Sequence, residues 1–291
     1  IPNDIRLVNP YPESLYERIL WTVVGTFTDY MMRKMFRDGL VSTEAEVIRE
    51  TRLICEHAVQ ISSIMQKTLE TNEIIEEVAK HGRTWIDAYV KKSFESCIEE
   101  TFMISQLDAV YRAGRFFALH RLGQDETEGF KPYLKRILKW LREEFSNAST
   151  VALNPTYGHP DICAADADII INNTLYEIKT TRYPEKSVSK DMNQLLGYIA
   201  LAYYHERHPI EGGPPIFDFK EAGFLFPLSL LHLETSISVF LDSHRQYFVD
   251  RILEIRKEHE TKLAAVEKQP SSVGDMEFSE KVRNLLDKGK L

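Results

Sequence analysis

Residues 164–181 read Ala-Ala-Asp-Ala-Asp-Ile-Ile-Ile-Asn-Asn-Thr-Leu-Tyr-Glu-Ile-Lys-Thr-Thr. Carboxylates stand at Asp166, Asp168 and Glu177 and an amine at Lys179, at alternate positions on either side of an asparagine pair. If Asn172 and Asn173 are the loop residues of a hairpin, Ile171 faces Thr174, Asp168 faces Glu177 and Asp166 faces Lys179. Cross-strand partners share a face, with Cβ atoms roughly 5 Å apart. The period of two keeps Asp166 with Asp168, and Glu177 with Lys179. Ile169, Ile171 and Ile178 then take the other face and suit a core, although Ile170 and Leu175 fall on the acidic side. Carboxylates this close repel one another unless a cation sits among them. Hard oxygen donors favour Mg2+ or Mn2+ over zinc. The expected ligands are Asp168, Glu177, Asp166 and the backbone carbonyl of Ile178. A divalent ion so held would acidify its water and stabilise charge on a phosphate in displacement. Lys179 would orient that water, help deprotonate it or stabilise the transition state. The plainer alternative is an exposed hairpin with a surface salt bridge from Asp166 or Asp168 to Lys179.

The segment after Lys179 adds polar groups at helical spacing. Lys190, Gln194 and Tyr198 stand at i, i+4 and i+8 and form one stripe. Gln194 would hydrogen-bond a phosphate or the attacking water. Tyr198 would either pack on the sheet or touch a nucleotide. Arg182, Lys186 and Lys190 are the cations best placed to steer nucleic acid. A second basic zone runs through Arg112, Arg115, Lys131, Lys135, Arg136, Lys139 and Arg142 beside Tyr111. It reads equally well as a solvated helix face or as a track for a phosphate backbone.

These residues need elements to hold them. The first 125 residues carry apolar positions at helical spacing, in 15–36, 45–69 and 94–122, with almost no strand signal. Residues 123–131 are a polar break and read as a linker. A short helix follows, with Pro132 near its start and Leu134, Ile137, Leu138, Leu141 and Phe145 on one stripe. Strands are expected at 149–153, 165–171 and 174–181, with 154–159 as turn. A helix capped by Ser187 or Ser189 runs to about residue 206, and 221–227 is a buried strand. A long helix is expected over about 235–265. The expected division is a helical region at 1–125, an α/β core with its C-terminal helix at 126–268, and a polar tail at 269–291. From 132 to 228 the order is α-β-β-β-α-β.

Asp168…Glu177-Ile-Lys179, followed by Gln194-Leu-Leu-Gly-Tyr198, resembles the PD-(D/E)xK nuclease superfamily, and its RecB-like branch in particular. The resemblance spans about 100 residues, from 132 to 227. It implies an α/β fold with an αβββαβ restriction-endonuclease-like core, preceded by a mainly α-helical region and followed by a long C-terminal helix. It implies phosphodiester hydrolysis with one or two metal ions, Asp168 and Glu177 as acidic residues, Lys179 as the lysine and Gln194 as an accessory group. DNA is the expected partner, in repair, mobile-element or defence settings; RNA stays open. For the first acidic position the hairpin register prefers Asp168, then Asp166, then Asp161 of the literal Pro160-Asp161 pair. Glu143 or Glu144 would serve where such sites add an acid from the first core helix. His159 lies near in sequence, although a lone loop histidine is more often incidental.

The totals set outer limits. With 291 residues and 43% hydrophobic content, the chain can bury a sizeable core. A net charge of −8 opposes nonspecific binding of nucleic acid over the whole surface and is compatible with an acidic metal site. No apolar run is long enough to cross a bilayer. Cys55, Cys97 and Cys163 are scattered, which argues against a disulfide framework, a zinc knuckle or an iron–sulfur cluster, and for an intracellular setting.

Overall fold

A computed structural model describes residues 18–50, 53–68, 73–113, 118–159, 162, 164–209, 219–240 and 242–266. Residues 1–17, the polar tail, Cys163 and the Pro160-Asp161 pair lie outside these residues. The described chain forms a mixed α/β protein of two compact units. Residues before 41 and from 53 to 141 make one unit; residues 41–50 and those from 142 onward make the other. No helix among the described residues is long and apolar enough to cross a membrane.

The first unit is helical: α1 (Arg18–Arg37), α2 (Cys55–Thr68), α3 (Glu73–Lys91), α4 (Ile98–Ala113) and most of α5 (Gln124–Phe145). In α3 the buried positions Ile75, Val78, Gly82, Trp85, Ile86 and Tyr89 recur every three or four residues, so one face enters the core. Phe27, Phe102 and Phe130 pack as a triangle of rings with centroids 4.8 to 6.2 Å apart. The expected linker at 123–131 is helix instead. Gly123 donates its N–H to Glu126 Oε2 at 2.8 Å, and Thr127 donates to the Gly123 carbonyl. That cap starts α5 about two turns before Pro132, which lies inside the helix rather than at its start.

The second unit is built on a six-stranded sheet in the order β1-β2-β5-β6-β7-β8. These strands are β1 (Glu46–Ile48), β2 (Thr150–Leu153), β5 (Ile169–Ile171), β6 (Thr174–Ile178), β7 (Glu221–Phe226) and β8 (Leu231–Ser236). β1 pairs parallel with β2, and β6 with β7; the other neighbours are antiparallel. β3 (Thr156–Gly158) and β4 (Ala164–Asp166) form a separate two-stranded sheet. α6 (Pro184–Arg207) joins β6 to β7, and α7 (Asp242–Val266) ends the described chain. Along the main sheet the order from α5 is α-β-β-β-α-β, as expected, with the β3–β4 pair inserted.

The structure corrects four expectations in this unit. The strand expected at 165–171 is two strands, because β4 leaves the main sheet to pair with β3 and the chain rejoins at Ile169. The expected turn at 154–159 contains β3. Residues 231–236 form an edge strand where a helix was expected from 235; β8 is largely exposed and lacks the apolar alternation of a half-buried strand. β1 lies inside 45–69, which was expected to be helical throughout; the helix starts only at Cys55, and three residues on a sheet edge need little apolar character.

One face of the sheet is covered by α6. Ala152, Ile170, Leu175, Ala222, Phe224 and Phe226 bury against Leu195, Leu196, Ile199 and Tyr203. Each such side chain contributes about 1.5–3 kcal/mol on burial. β7 and β8 approach so closely that a Cβ on Gly223 would lie 1.9 Å from the Leu233 carbonyl oxygen. Only glycine fits there.

Candidate metal and phosphate site

The hairpin that opens the site is pinned by Asn172. Its φ is 53°, in the left-handed region that asparagine tolerates. Its side-chain oxygen accepts from Ser149 N at 2.8 Å, Ser149 Oγ at 3.0 Å and Thr150 N at 3.3 Å. Ile171 pairs with Thr174, Ile170 with Leu175 and Ile169 with Tyr176, the expected register. One step further, Asp168 meets β6 through its carboxylate, which accepts from Ile178 N at 2.6 Å.

Asp166 does not stand opposite Lys179. It pairs with Thr156 in the β3–β4 ladder, and its carboxylate accepts from the Thr156 hydroxyl at 2.6 Å. Ala167 N–H donates to Pro155 O and the backbone bends at Asp168, so the pairing with β3 carries Asp166 out of the hairpin. The Asp166 contribution near Glu177 is its carbonyl, which accepts from the Tyr198 hydroxyl at 2.9 Å.

Glu177 and Lys179 sit on the sheet face that α6 covers, at the end of the apolar layer. Ile170 and Leu175 share that face because they are the core beneath α6, which explains their place beside the acids. Glu177 is 4% exposed. Its Oε1 accepts from Lys179 Nζ at 2.9 Å and Gln194 Nε2 at 2.7 Å, and its Oε2 accepts from the Tyr198 hydroxyl at 3.1 Å. Lys179 Nζ also donates to Gln194 Oε1 at 2.8 Å, and Gln194 Nε2 to Tyr198 Oη at 2.7 Å. Burial alone would lower the Lys179 ammonium, but the Glu177 carboxylate, with Asp168 and Asp191, outweighs it and holds the group above the ordinary lysine value. Burial, then the charges of Glu177 and Asp168, push the Tyr198 hydroxyl up, so it stays a neutral donor.

Tyr198 is buried and packs in the layer under α6, the first of its two expected roles. The helix face turned to the site carries Ser187, Asp191, Gln194 and Tyr198 rather than Lys190, which is exposed. Asp191 was not among the expected residues. Its spacing of three before Gln194 and seven before Tyr198 is the signal that would have found it. The Asp191 carboxylate accepts from the Ser187 hydroxyl. Arg182 and Tyr183 lie on the exposed segment that leads from Lys179 into α6, and Lys186 is exposed in the first turn of that helix.

Other expected candidates lie elsewhere. Glu144 Oε2 is 3.7 Å from His232 Nδ1, and His232 packs near Tyr176, which points away from Glu177 across the sheet. His159 packs on Tyr204, His205 and His208 at 5.0, 6.2 and 6.3 Å between ring centroids. That is roughly 15 Å along α6 from Gln194 at 1.5 Å per residue. In the second basic zone, Arg112, Lys131 and Lys135 pair with Asp108, Glu128 and Glu95. Arg115 lies outside the described residues.

Among the described residues no three His, Cys, Asp or Glu side chains converge as a metal-holding group. Among the described residues of the hairpin, the carboxylates at its mouth are Asp168 and Glu177, with the Ile178 carbonyl between Glu177 and Lys179 in the chain. Two carboxylates still fit Mg2+, which is commonly held by one or two of them plus water and substrate phosphate. Neither a family model, nor a curated protein, nor a solved structure matches this chain.

Proposed function

We propose that the chain is a metal-dependent nuclease of the PD-(D/E)xK type, with a restriction-endonuclease-like core and DNA as the favoured substrate. The observation that carries the reading is the convergence of Asp168 just before β5, Glu177 at the end of β6, Lys179 just after it, and Gln194 of α6. Asp168, Glu177 and the Ile178 carbonyl would hold Mg2+ or Mn2+. When bound, that ion supplies an acidified water and neutralises charge on the scissile phosphate. Lys179 donates toward the attacked phosphate and the water, where charge grows in the transition state. Gln194 holds Lys179 and Glu177 in register through both ends of its amide. Tyr198 keeps the far oxygen of Glu177 fixed. Arg182, Lys186 and Lys190 attract the phosphate backbone despite the acidic total.

Supercoiled plasmid and single-stranded circular DNA, incubated with Mg2+ or Mn2+, test the reading. Cleavage is expected, abolished by EDTA and by Lys179→Ala. Absence of cleavage with both metals, together with no Mn2+ binding by calorimetry, would sink it.

A second reading draws on the same contacts. Both oxygens of Glu177 already accept from Lys179, Gln194 and Tyr198, as in a closed structural network. A catalytically silent nucleic-acid-binding protein or scaffold would show that pattern. Such a protein would bind DNA with no response to Mg2+ and no change in Asp168→Asn.

A further inference from the structure

The segment between Lys179 and α6 presents an aromatic ring to solvent. Tyr183 is 58% exposed, whereas Tyr198, the aromatic first expected to meet a nucleotide, is buried at 4%. The Tyr183 backbone is held at both ends. Its N–H donates to Thr181 Oγ1 at 3.1 Å, and its carbonyl accepts from Lys186 N and Ser187 N, each at 3.1 Å. Pro184 follows as the first residue of α6 and limits the backbone further. The Lys186 ammonium lies 4.8 Å from the ring centroid, a cation–π contact that restrains the side chain. A tyrosine in water whose backbone is already fixed loses little freedom when a flat partner stacks on it.

The surroundings name that partner. Arg182, Lys186 and Lys190 are exposed on the same segment and the first turns of α6. Tyr183 lies four positions after Lys179, at most ~14 Å of extended chain, or about four stacked bases. A ring flanked by cations at that distance from a phosphate site matches the pairing of stacking platform and basic track that binds single strands. A duplex hides its base faces against each other; an unpaired base offers one.

We infer that Tyr183 is a stacking platform for an unpaired base, so that the site takes single-stranded or locally unpaired polynucleotide. The inference rests on the nuclease reading for its substrate, but its test does not need cleavage. Fluorescence anisotropy in EDTA, with a labelled thymidine oligonucleotide and a labelled blunt-ended duplex of two complementary strands, reads binding alone. Tyr183→Ala is expected to weaken binding of the single strand about 5- to 100-fold and leave the duplex unchanged. Tyr183→Trp should restore it. Equal binding of the single strand by Tyr183→Ala and the unsubstituted chain overturns the platform. An equal loss on both probes does so too, and so does failure of the unsubstituted chain to bind the single strand. Tyr183-dependent binding without cleavage in Mg2+ or Mn2+ and without Mn2+ binding by calorimetry supports the platform and removes the nuclease reading. Cleavage with no Tyr183 effect does the reverse.

Discussion

Both units take ionised side chains out of water, and they do it differently. In the helical unit the buried charges are answered one turn away on the same helix. Arg33 meets Asp29, Lys34 meets Asp38 and Arg112 meets Asp108. Tyr30 closes on Asp108 from a neighbouring helix at 3.3 Å. In the sheet unit, Glu177 gathers Lys179 from its own strand and Gln194 and Tyr198 from a helix about twenty residues on. The helical pairs need a single element and close locally. The sheet cluster needs three segments to arrive together, and it opens outward, because the Lys179 side chain is 21% exposed and Gln194 lies at the surface. A buried charge by itself is therefore poor evidence of a site. Convergence from separate elements at an open edge is better evidence, because local pairing does not require it.

The largest effect that could break this comparison is on rate. Lys179→Met should lower Mg2+-dependent cleavage by about a thousandfold or more, roughly 4 kcal/mol of transition-state stabilisation. Lys34→Met, which removes a buried lysine from the helical unit, should leave the rate unchanged. Initial rates on plasmid DNA compare the two, and equal losses would erase the distinction. Next is a stability effect. Lys34 has no exposed surface, so Asp38→Ala strands its ammonium and should cost about 3–5 kcal/mol in urea unfolding. Adding Lys34→Met to that variant should recover most of the loss, as expected for a structural pair.

Smaller effects probe the frame of the sheet. Gly223→Ala forces β8 from β7 and should cost about 1–3 kcal/mol by the same urea measurement. Asn172→Ala removes an acceptor for Ser149 and Thr150 and strains a positive φ, for about 1–2 kcal/mol. Asn172→Gly should lose less, since only the acceptor goes. Leu230 holds φ at 51° in the β7–β8 turn. Leu230→Gly should relieve that strain and raise the thermal midpoint slightly, by the equivalent of about 0.5–1 kcal/mol. A fall instead would mean that Leu230 packing outweighs its backbone cost.

The parts of the site legible in advance were those within one hairpin or one helix turn. The Asn172 turn, the pairing of Ile171 with Thr174 and the shared face of Glu177 and Lys179 follow from strand period and turn chemistry alone. The place of Gln194 on the side of α6 that meets Glu177 follows from amphipathic spacing. The Asp166 assignment failed because a register extended by counting assumes an unbroken strand. Nothing in Ala-Asp-Ala-Asp announces that β4 will pair with Thr156 and its neighbours instead. β8 was missed because an edge strand does not need the alternation that marks a half-buried one. The early start of α5 was missed because Pro132 was given the position that proline prefers, while the Gly123–Glu126 cap had already begun the helix.

Taken alone, the residues determined which groups are available and which can share a face over one local element: an acid and a lysine two apart, an asparagine turn, and an amphipathic helix with an amide at its middle. Periodicity dictates these because side-chain direction follows backbone geometry within a strand or helix. Tertiary structure decided which acids meet. It put Asp168 on the Ile178 amide, sent Asp166 to Thr156, turned Tyr198 on the buried face of α6 and left Tyr183 in water. Those outcomes depend on where the chain leaves one sheet for another and on which apolar face α6 buries. A buried apolar side chain contributes about 1.5–3 kcal/mol and a hydrogen bond about 0.5–1.5. Packing therefore sets the positions, and the polar groups make the contacts that packing leaves within reach.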